Sequence, residues 1–237
     1  MRPPRPTLHQ FANRRAAGME LARALVRVKP AQPLLVLGLP RGGVPVAFEV
    51  ARSLRAPIDV LTVRKIGMPG QAELAIGAIA SGDIVVREPS AELHFGVDQA
   101  TFAELTARER TELERRERLY RHGLPPLELS GKTAVLVDDG LATGATMLAA
   151  IRSARKAGAH SVLAAAPVAS REAAALLSRE ADEMVLLQIP PHLTSIGEWY
   201  VDFSQVEDED VQALLARARH RNVPEQEAVS PATLRGG

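Results

Sequence analysis

Two adjacent carboxylates precede a run of small and hydroxyl-bearing residues in the segment VLVDDGLATGAT, residues 135–146. Carboxylates accept hydrogen bonds from sugar hydroxyls and bind divalent cations such as Mg²⁺, and Asp138 and Asp139 are suited to both tasks. The hydroxyls of Thr143 and Thr146 can donate hydrogen bonds to an anion. The spacing therefore predicts a ligand with hydroxyls, or a cation, at one end and an anionic group at the other.

The elements around this segment show how such a site can form. Apolar residues over 133–139 predict a strand, and 144–157 predict a helix. Successive side chains of a strand point to opposite faces, so the two carboxylates need not share one target. The N–H groups at a helix start favour a phosphate, so the pattern fits a ribose 5-phosphate group. The alternative is a helix that is only capped by Thr143, which leaves the paired acids unexplained.

A second strand, glycine turn and helix start occur in LGLPRGGVPVA, residues 37–47. The predicted strand 33–38 ends here and the predicted helix 44–54 follows. Backbone N–H groups in such a turn bind anions, and Arg41 adds a cation. The alternative is a tight turn with Arg41 at the surface.

Two basic residues, Arg64 and Lys65, lie near the end of the predicted strand 58–66. They suit an anionic ligand, and the alternative is a pair of solvated side chains. The glycine-rich segment 67–97 follows, and we expect a flexible loop that can close over a site. Glu73 is the first acid of that loop.

Strands and helices alternate through the centre of the chain. This order predicts an α/β fold with a doubly wound, mainly parallel sheet flanked by helices, and ligands bind such sheets at the carboxyl ends of the strands. The predicted parts are an N-terminal arm and helix at 1–32, a core at 33–189 that includes the loop 67–97 and a charged helix at 98–122, an irregular segment and C-terminal helix at 190–221, and a tail at 222–237.

The composition narrows the function classes. The 237 residues carry a net charge of +1 and only 3% are aromatic, which disfavours a nucleic-acid partner. There is no cysteine, so thiolate catalysis and disulfides are excluded, and no apolar run approaches the length of a membrane span. We therefore expect a cytoplasmic enzyme or binding protein with a small-molecule ligand, with no membrane partner, and the sequence allows a homodimer.

The segment VLVDDGLATGAT closely resembles the binding motif for 5-phosphoribosyl 1-pyrophosphate (PRPP) in the type I phosphoribosyltransferases. The resemblance implies their fold, with a small C-terminal hood at 190–204, so that 190–221 comprise the hood and the C-terminal helix. It also implies that Asp138 and Asp139 hold the ribose hydroxyls, directly or through Mg²⁺ and water. The implied phosphate-binding residues are Gly140, Ala142, Thr143, Gly144, Ala145 and Thr146.

The resemblance also implies roles for the remaining candidate site residues. It implies that Arg41, Gly42 and Gly43 contact pyrophosphate, in a loop that often has a cis non-proline peptide. Lys65 would reach the same pyrophosphate, and the loop with Glu73 would close over the reaction.

In purine-type relatives an aromatic ring of the hood stacks on the base. This suggests Trp199 as the stacking residue, with Tyr200 and Asp202 nearby. The alternative is that the aromatic residues Trp199 and Phe203 only pack the hood against the core.

One position departs from part of the family. Ala142 stands where 6-oxopurine enzymes often have an acid that handles a base proton, and it cannot serve as one. The acid–base duty would then fall to Glu73 or another loop group. The chain resembles most the predicted bacterial phosphoribosyltransferases, and this likeness supplies no acceptor, so an adenine-like purine, another base and a non-base amine remain open.

The predicted function is transfer of the 5-phosphoribosyl group from Mg²⁺·PRPP to a nitrogen acceptor, a nucleobase above all, with release of pyrophosphate. The candidate catalytic residues are Arg41, Lys65, Glu73, Asp138 and Asp139. One alternative is a non-catalytic regulatory protein that binds PRPP or a nucleotide. A weaker alternative is a sugar phosphate hydrolase that uses one of the paired aspartates as its nucleophile.

Overall fold

The computed structural model describes residues 8–68, 71–87, 96–122 and 124–222, with the backbone alone for 71–75 and 220–222. Its strands are β1 (Leu34–Gly38), β2 (Ile58–Val60), β3 (Val63–Met68), β4 (Gln71–Ala80), β5 (Ile84–Arg87), β6 (Thr133–Val137), β7 (Ser161–Val168) and β8 (Glu183–Gln188). Its helices are α1 (Arg14–Val28), α2 (Gly43–Leu54), α3 (Gln99–Arg121), α4 (Ala145–Lys156), α5 (Arg171–Leu177) and α6 (Asp208–Asn222), with a 3₁₀ turn at Gly197–Trp199.

Five strands form a parallel sheet in the order β2-β1-β6-β7-β8. Every residue of β1 and β6 is buried, as expected for strands covered on both faces. One apolar cluster joins the sheet to α4 and α5, and a second joins it to α1 and α2. The predicted α/β class, a mainly parallel sheet flanked by helices, is confirmed.

The prediction of one continuous strand over 58–66 is wrong. The main sheet takes only β2, and the chain leaves it after Val60 to begin β3 at Val63. The polar groups of Thr62 explain the break, since its N–H donates to the hydroxyl of Ser81 and its carbonyl accepts from the Ser81 N–H. These bonds join the chain to a second sheet, which is antiparallel and has the order β3-β4-β5.

The predicted loop 67–97 contains β4 and β5 of this second sheet. Its residues 69–70 and 88–95 lie outside the described part of the chain. The described part is therefore largely extended sheet, whereas closure over a ligand stays a prediction.

The charged segment 98–122 forms α3, whose N-cap Asp98 accepts a hydrogen bond from the N–H of Thr101. Its buried residues are Phe102, Thr106, Leu113 and Tyr120. This narrow stripe packs α3 against β3, β4 and α6. Among the described residues, no helix is long and apolar enough to cross a membrane.

Candidate functional site

The two loops singled out from the sequence lie side by side at the carboxyl edge of the parallel sheet. Gly38, the last residue of β1, is in register with Val137, the last residue of β6. The N–H of Leu39 then donates to the carbonyl of Val137 at 2.9 Å. We call residues 40–43 the PRGG loop and Asp138–Asp139 the acid pair. Parallel pairing of β1 with β6 brings them together.

The PRGG loop packs directly on the acid pair. A Cβ atom on Gly42 would lie 2.0 Å from Oδ2 of Asp139, a distance that no side chain can occupy. Glycine at this position therefore permits the contact. The peptide bond between Pro40 and Arg41 is cis, which is the feature that the family resemblance implied for this loop.

The two carboxylates of the acid pair differ in environment. Oδ1 of Asp138 accepts a hydrogen bond from the N–H of Asp139 at 2.9 Å. Burial, and next the charge of Asp139, raise the pKa of Asp138 well above its ordinary value. Asp139 instead forms an ion pair with a cation.

That cation is Arg14, which no sequence motif singled out. Its Nε lies 2.7 Å from Oδ2 of Asp139, and both side chains are largely buried. Its Nη1 donates to the main-chain carbonyl of Ser204 at 2.7 Å, and the guanidinium lies 3.8 Å from the centre of the Phe203 ring. A signal was present, because Arg14 is the first residue of α1, where the helix dipole disfavours a positive charge unless an anion lies nearby.

Arg41 of the PRGG loop is directed toward the start of α6. Its Nη1 lies 3.2 Å from Oε2 of Glu207 and 3.9 Å from Oδ1 of Asp208. Asp208 in turn accepts a 2.5 Å hydrogen bond from the hydroxyl of Tyr120, a buried residue of α3. The charged helix α3 thus supports the acidic residues that hold Arg41.

The loop after the acid pair leads into α4 with its polar groups accessible. We call residues 142–146 the phosphate loop. Gly144 has a φ of 77°, which favours glycine, and α4 begins at Ala145. The predicted N-cap at Thr143 is wrong, because the N-cap residue is Gly144, which makes no side-chain cap bond. The hydroxyl of Thr143 only accepts from the N–H of Ala145 at 3.3 Å. Ala142, Thr143 and Thr146 are exposed, which leaves the loop open to a ligand.

Lys65 lies apart from Arg41. Lys65 of β3 lines a separate cavity of about 200 Å³, shared with Ala145 and Arg152 of α4. Lys65 thus lies near the phosphate loop. Glu73 falls where the backbone alone is described, so its assignment stays a prediction.

The hood aromatics pack inward. Tyr200 is buried in a cluster with Phe11, and its hydroxyl donates to the main-chain carbonyl of Asp139 at 2.5 Å. Burial, and next the charge of Asp139, raise the pKa of the Tyr200 hydroxyl. A buried ring cannot stack on a base, so Tyr200 packs the hood against the core. Trp199 is partly buried against the same cluster, and among the described residues its buried Nε1 has no hydrogen-bond partner.

A cavity of about 360 Å³ lies where these parts meet. It is lined by Arg14, Arg41, Gly42 and Asp139, with Phe203, Gln205 and Val206 on the hood side. It combines two guanidinium groups with one carboxylate, which suits a ligand that has both anionic and hydroxyl groups.

The acid pair suits a magnesium ion that takes its other ligands from a bound phosphate and from water. Within the described part of the chain, no group of three or more acidic, histidine or cysteine side chains could hold a metal ion. Mg²⁺ is commonly bound by one or two carboxylates together with substrate phosphates and water. Asp138 and Asp139 supply that number of carboxylates, so they fit an ion that arrives with a phosphate ligand.

This fold and this pair of loops define the class of protein, and the comparisons with known proteins agree. Residues 7–206 match the phosphoribosyl transferase domain, and the chain belongs to this family. Two Mycobacterium tuberculosis proteins, from strains CDC 1551 and H37Rv, are each 43% identical to it over 222 residues, which is 94% of this chain and 50% of theirs. Their names are "Putative phosphoribosyl transferase MT0597" and "Putative phosphoribosyl transferase Rv0571c". The chain thus spans about half the length of the curated relatives it matches.

A solved structure shows the same fold. The protein TT1426 of Thermus thermophilus superposes with a TM-score of 0.81 at 44% sequence identity, over 88% of this chain and 98% of that chain. The two proteins are therefore similar in sequence as well as in fold.

Proposed function

We propose that this protein transfers the 5-phosphoribosyl group of PRPP to a nitrogen acceptor and releases pyrophosphate. The observation that carries the proposal is the contact of the PRGG loop with Asp139. It places a loop suited to pyrophosphate beside a carboxylate suited to ribose hydroxyls. The family match supports the use of PRPP.

The ribose 5-phosphate half of the ligand would lie along the acid pair and the phosphate loop. Oδ2 of Asp139 accepts one hydrogen bond from Arg14, which leaves further lone pairs on both carboxylate oxygens for a ribose hydroxyl. The N–H groups at the start of α4, together with Thr143 and Thr146, would bind the 5-phosphate, because a helix N-terminus favours an anion. Lys65 shares a cavity with Ala145 of the phosphate loop, which supports an approach to this end of the ligand and not to the pyrophosphate that the resemblance implied.

The pyrophosphate half would lie in the cavity of about 360 Å³ that Arg41 and Gly42 line. In the reaction the bond between C1 of the ribose and a pyrophosphate oxygen breaks, and a bond between C1 and the acceptor nitrogen forms. The proton of that nitrogen passes to a base, for which Glu73 is the predicted residue. A magnesium ion bound with PRPP would add positive charge at the pyrophosphate.

The charges that develop during the reaction explain the roles of the Asp139 carboxylate and of Arg41. The ribose ring becomes more positive as the C1–O bond breaks, and the carboxylate of Asp139 favours that change. The leaving pyrophosphate becomes more negative, and Arg41 stabilises it. Electrostatic contacts of this kind contribute about 3–4 kcal/mol each in well-studied active sites.

Pyrophosphate release provides the test. The full chain would be incubated with PRPP, Mg²⁺ and a panel of bases and amines. Asp139→Asn should keep the fold and reduce turnover by roughly two orders of magnitude or more. Glu104→Gln is the matched control, since Glu104 is an exposed acid of α3 outside the acid pair and the segment 67–97.

The same experiment separates the alternatives. PRPP binding by calorimetry without turnover for any acceptor would indicate the regulatory role. Acceptor-independent release of inorganic phosphate would indicate a hydrolase. Absence of PRPP binding in the wild-type chain would remove the proposal.

A further inference from the structure

The cavity beside the acid pair receives guanidinium groups from two distant parts of the chain. Arg14 begins α1, Arg41 belongs to the PRGG loop, and both line the cavity of about 360 Å³. The function proposed above uses only Arg41. Arg14 therefore has a position in the site without a role in the chemistry.

The side chain of Arg14 is held in place before any ligand binds. Its Nε donates to Asp139 and its Nη1 to the carbonyl of Ser204, each at 2.7 Å, while its plane lies over Phe203. The side chain is 12% exposed. A guanidinium has five N–H donors, and these two bonds leave others for a ligand that enters the cavity.

The charges of the cavity favour a multiply charged anion. Arg14 is opposed by the carboxylate of Asp139, and Arg41 by those of Glu207 and Asp208 at 3.2 and 3.9 Å. Glu207 is 54% exposed, so its charge is strongly screened. A diphosphate can accept from two guanidinium groups at once, because its two phosphoryl groups each carry several oxygens. Arginine is well suited to this task, since its planar fork matches phosphate oxygens.

We propose that Arg14 binds the pyrophosphate group of PRPP together with Arg41, an assignment that rests on the proposed phosphoribosyl transfer. Arg14 then connects three parts of the site. It contacts the pyrophosphate with its remaining donors, orients Asp139 with Nε, and holds the hood at Phe203 and Ser204.

Two probes distinguish this role from simple support of Asp139. Pyrophosphate with Mg²⁺ reports on the cavity, whereas ribose 5-phosphate reports on the acid pair and the phosphate loop. Binding of each probe to the full chain would be measured by calorimetry, and the thermal midpoint would verify the fold. Arg14→Gln should weaken pyrophosphate binding roughly tenfold to a hundredfold and change ribose 5-phosphate binding about threefold at most.

Arg15→Gln is the matched control, since Arg15 follows directly in α1, is 72% exposed and pairs with Glu49. It should bind both probes as the wild type does. Arg14→Lys keeps the charge beside Asp139 and carries the test if the glutamine variant does not fold. It should restore part of the pyrophosphate affinity, because an ammonium lacks the planar fork.

Two results would overturn the assignment while leaving the proposed function intact. One is unchanged pyrophosphate affinity in Arg14→Gln, and the other is an equal loss for both probes, which would make Arg14 a support for Asp139 alone. A wild-type chain that binds neither probe would instead remove the proposed function, and this assignment with it.

Discussion

Tyr200 donates a hydrogen bond from its hydroxyl to the main-chain carbonyl of Asp139, with a distance of 2.5 Å between the two oxygens. The bond links the hood to the acid pair across 61 positions of sequence. It gives the partly buried main-chain carbonyl of Asp139 a partner next to the carboxylate that we propose for ribose binding. The hood therefore acts on the site through the backbone of Asp139.

The first prediction tests this link. Tyr200→Phe keeps the ring among Phe11 and Phe203 and removes only the hydroxyl. The unpaired carbonyl should lower the free energy of unfolding by about 1–3 kcal/mol, measured by urea denaturation. PRPP affinity should fall as well, because the backbone of Asp139 loses its anchor. Full stability in this variant would show that the bond contributes little.

The second prediction concerns the PRGG loop. Gly42→Ala places a Cβ atom 2.0 Å from Oδ2 of Asp139, so the loop or the carboxylate must move. We expect loss of most pyrophosphate release and of PRPP binding, with a folded protein by circular dichroism. Wild-type turnover would mean that the contact is not needed for the reaction.

The third prediction concerns the partner of Arg41. Glu207→Gln removes the carboxylate that lies 3.2 Å from its Nη1 and that competes with pyrophosphate for it. Pyrophosphate affinity should rise about twofold to fivefold, a modest factor because an exposed ion pair contributes only about 0.2–1 kcal/mol. Glu209→Gln is the control, since Glu209 lies exposed in the same turn of α6. Weaker binding in Glu207→Gln would show that Glu207 positions Arg41 for its ligand.

The fourth prediction is a pH dependence on α3. Hydrogen bonds from Arg115, and next from Arg116, lower the pKa of Glu112 to about 2. Because this pKa is lower in the folded state, the stabilisation is complete above the unfolded value of 4.5 and is lost as the pH falls toward about 2. The contribution should be only about 0.5 kcal/mol, since these side chains are partly exposed and screened by solvent.

Urea denaturation of Glu112→Gln and of the wild type at several pH values measures the contribution of the Glu112 ion pairs to stability. The difference in unfolding free energy should shrink as the pH decreases below about 4.5. A difference that stays constant with pH would assign it to helix packing and not to the ion pairs.

The parallel sheet could be predicted because its strands are short apolar runs that are buried on both faces, as LLVLG and TAVLV show. The break between β2 and β3 could not be predicted from residues 58–66 alone. It depends on Ser81, which binds both polar backbone groups of Thr62 from another sheet.

The sequence by itself determined the family, the fold class and the two loops that face the proposed ligand. Each of these is written in contiguous residues, since a strand, a turn and a helix start follow one another in VLVDDGLATGAT and in LGLPRGG. Only the tertiary structure decided which charges meet. Arg14 and Asp139 are 125 positions apart, and Arg41 and Glu207 are 166 apart. Such pairs follow from how α1 and α6 pack against α2, and no local pattern of side chains encodes that packing.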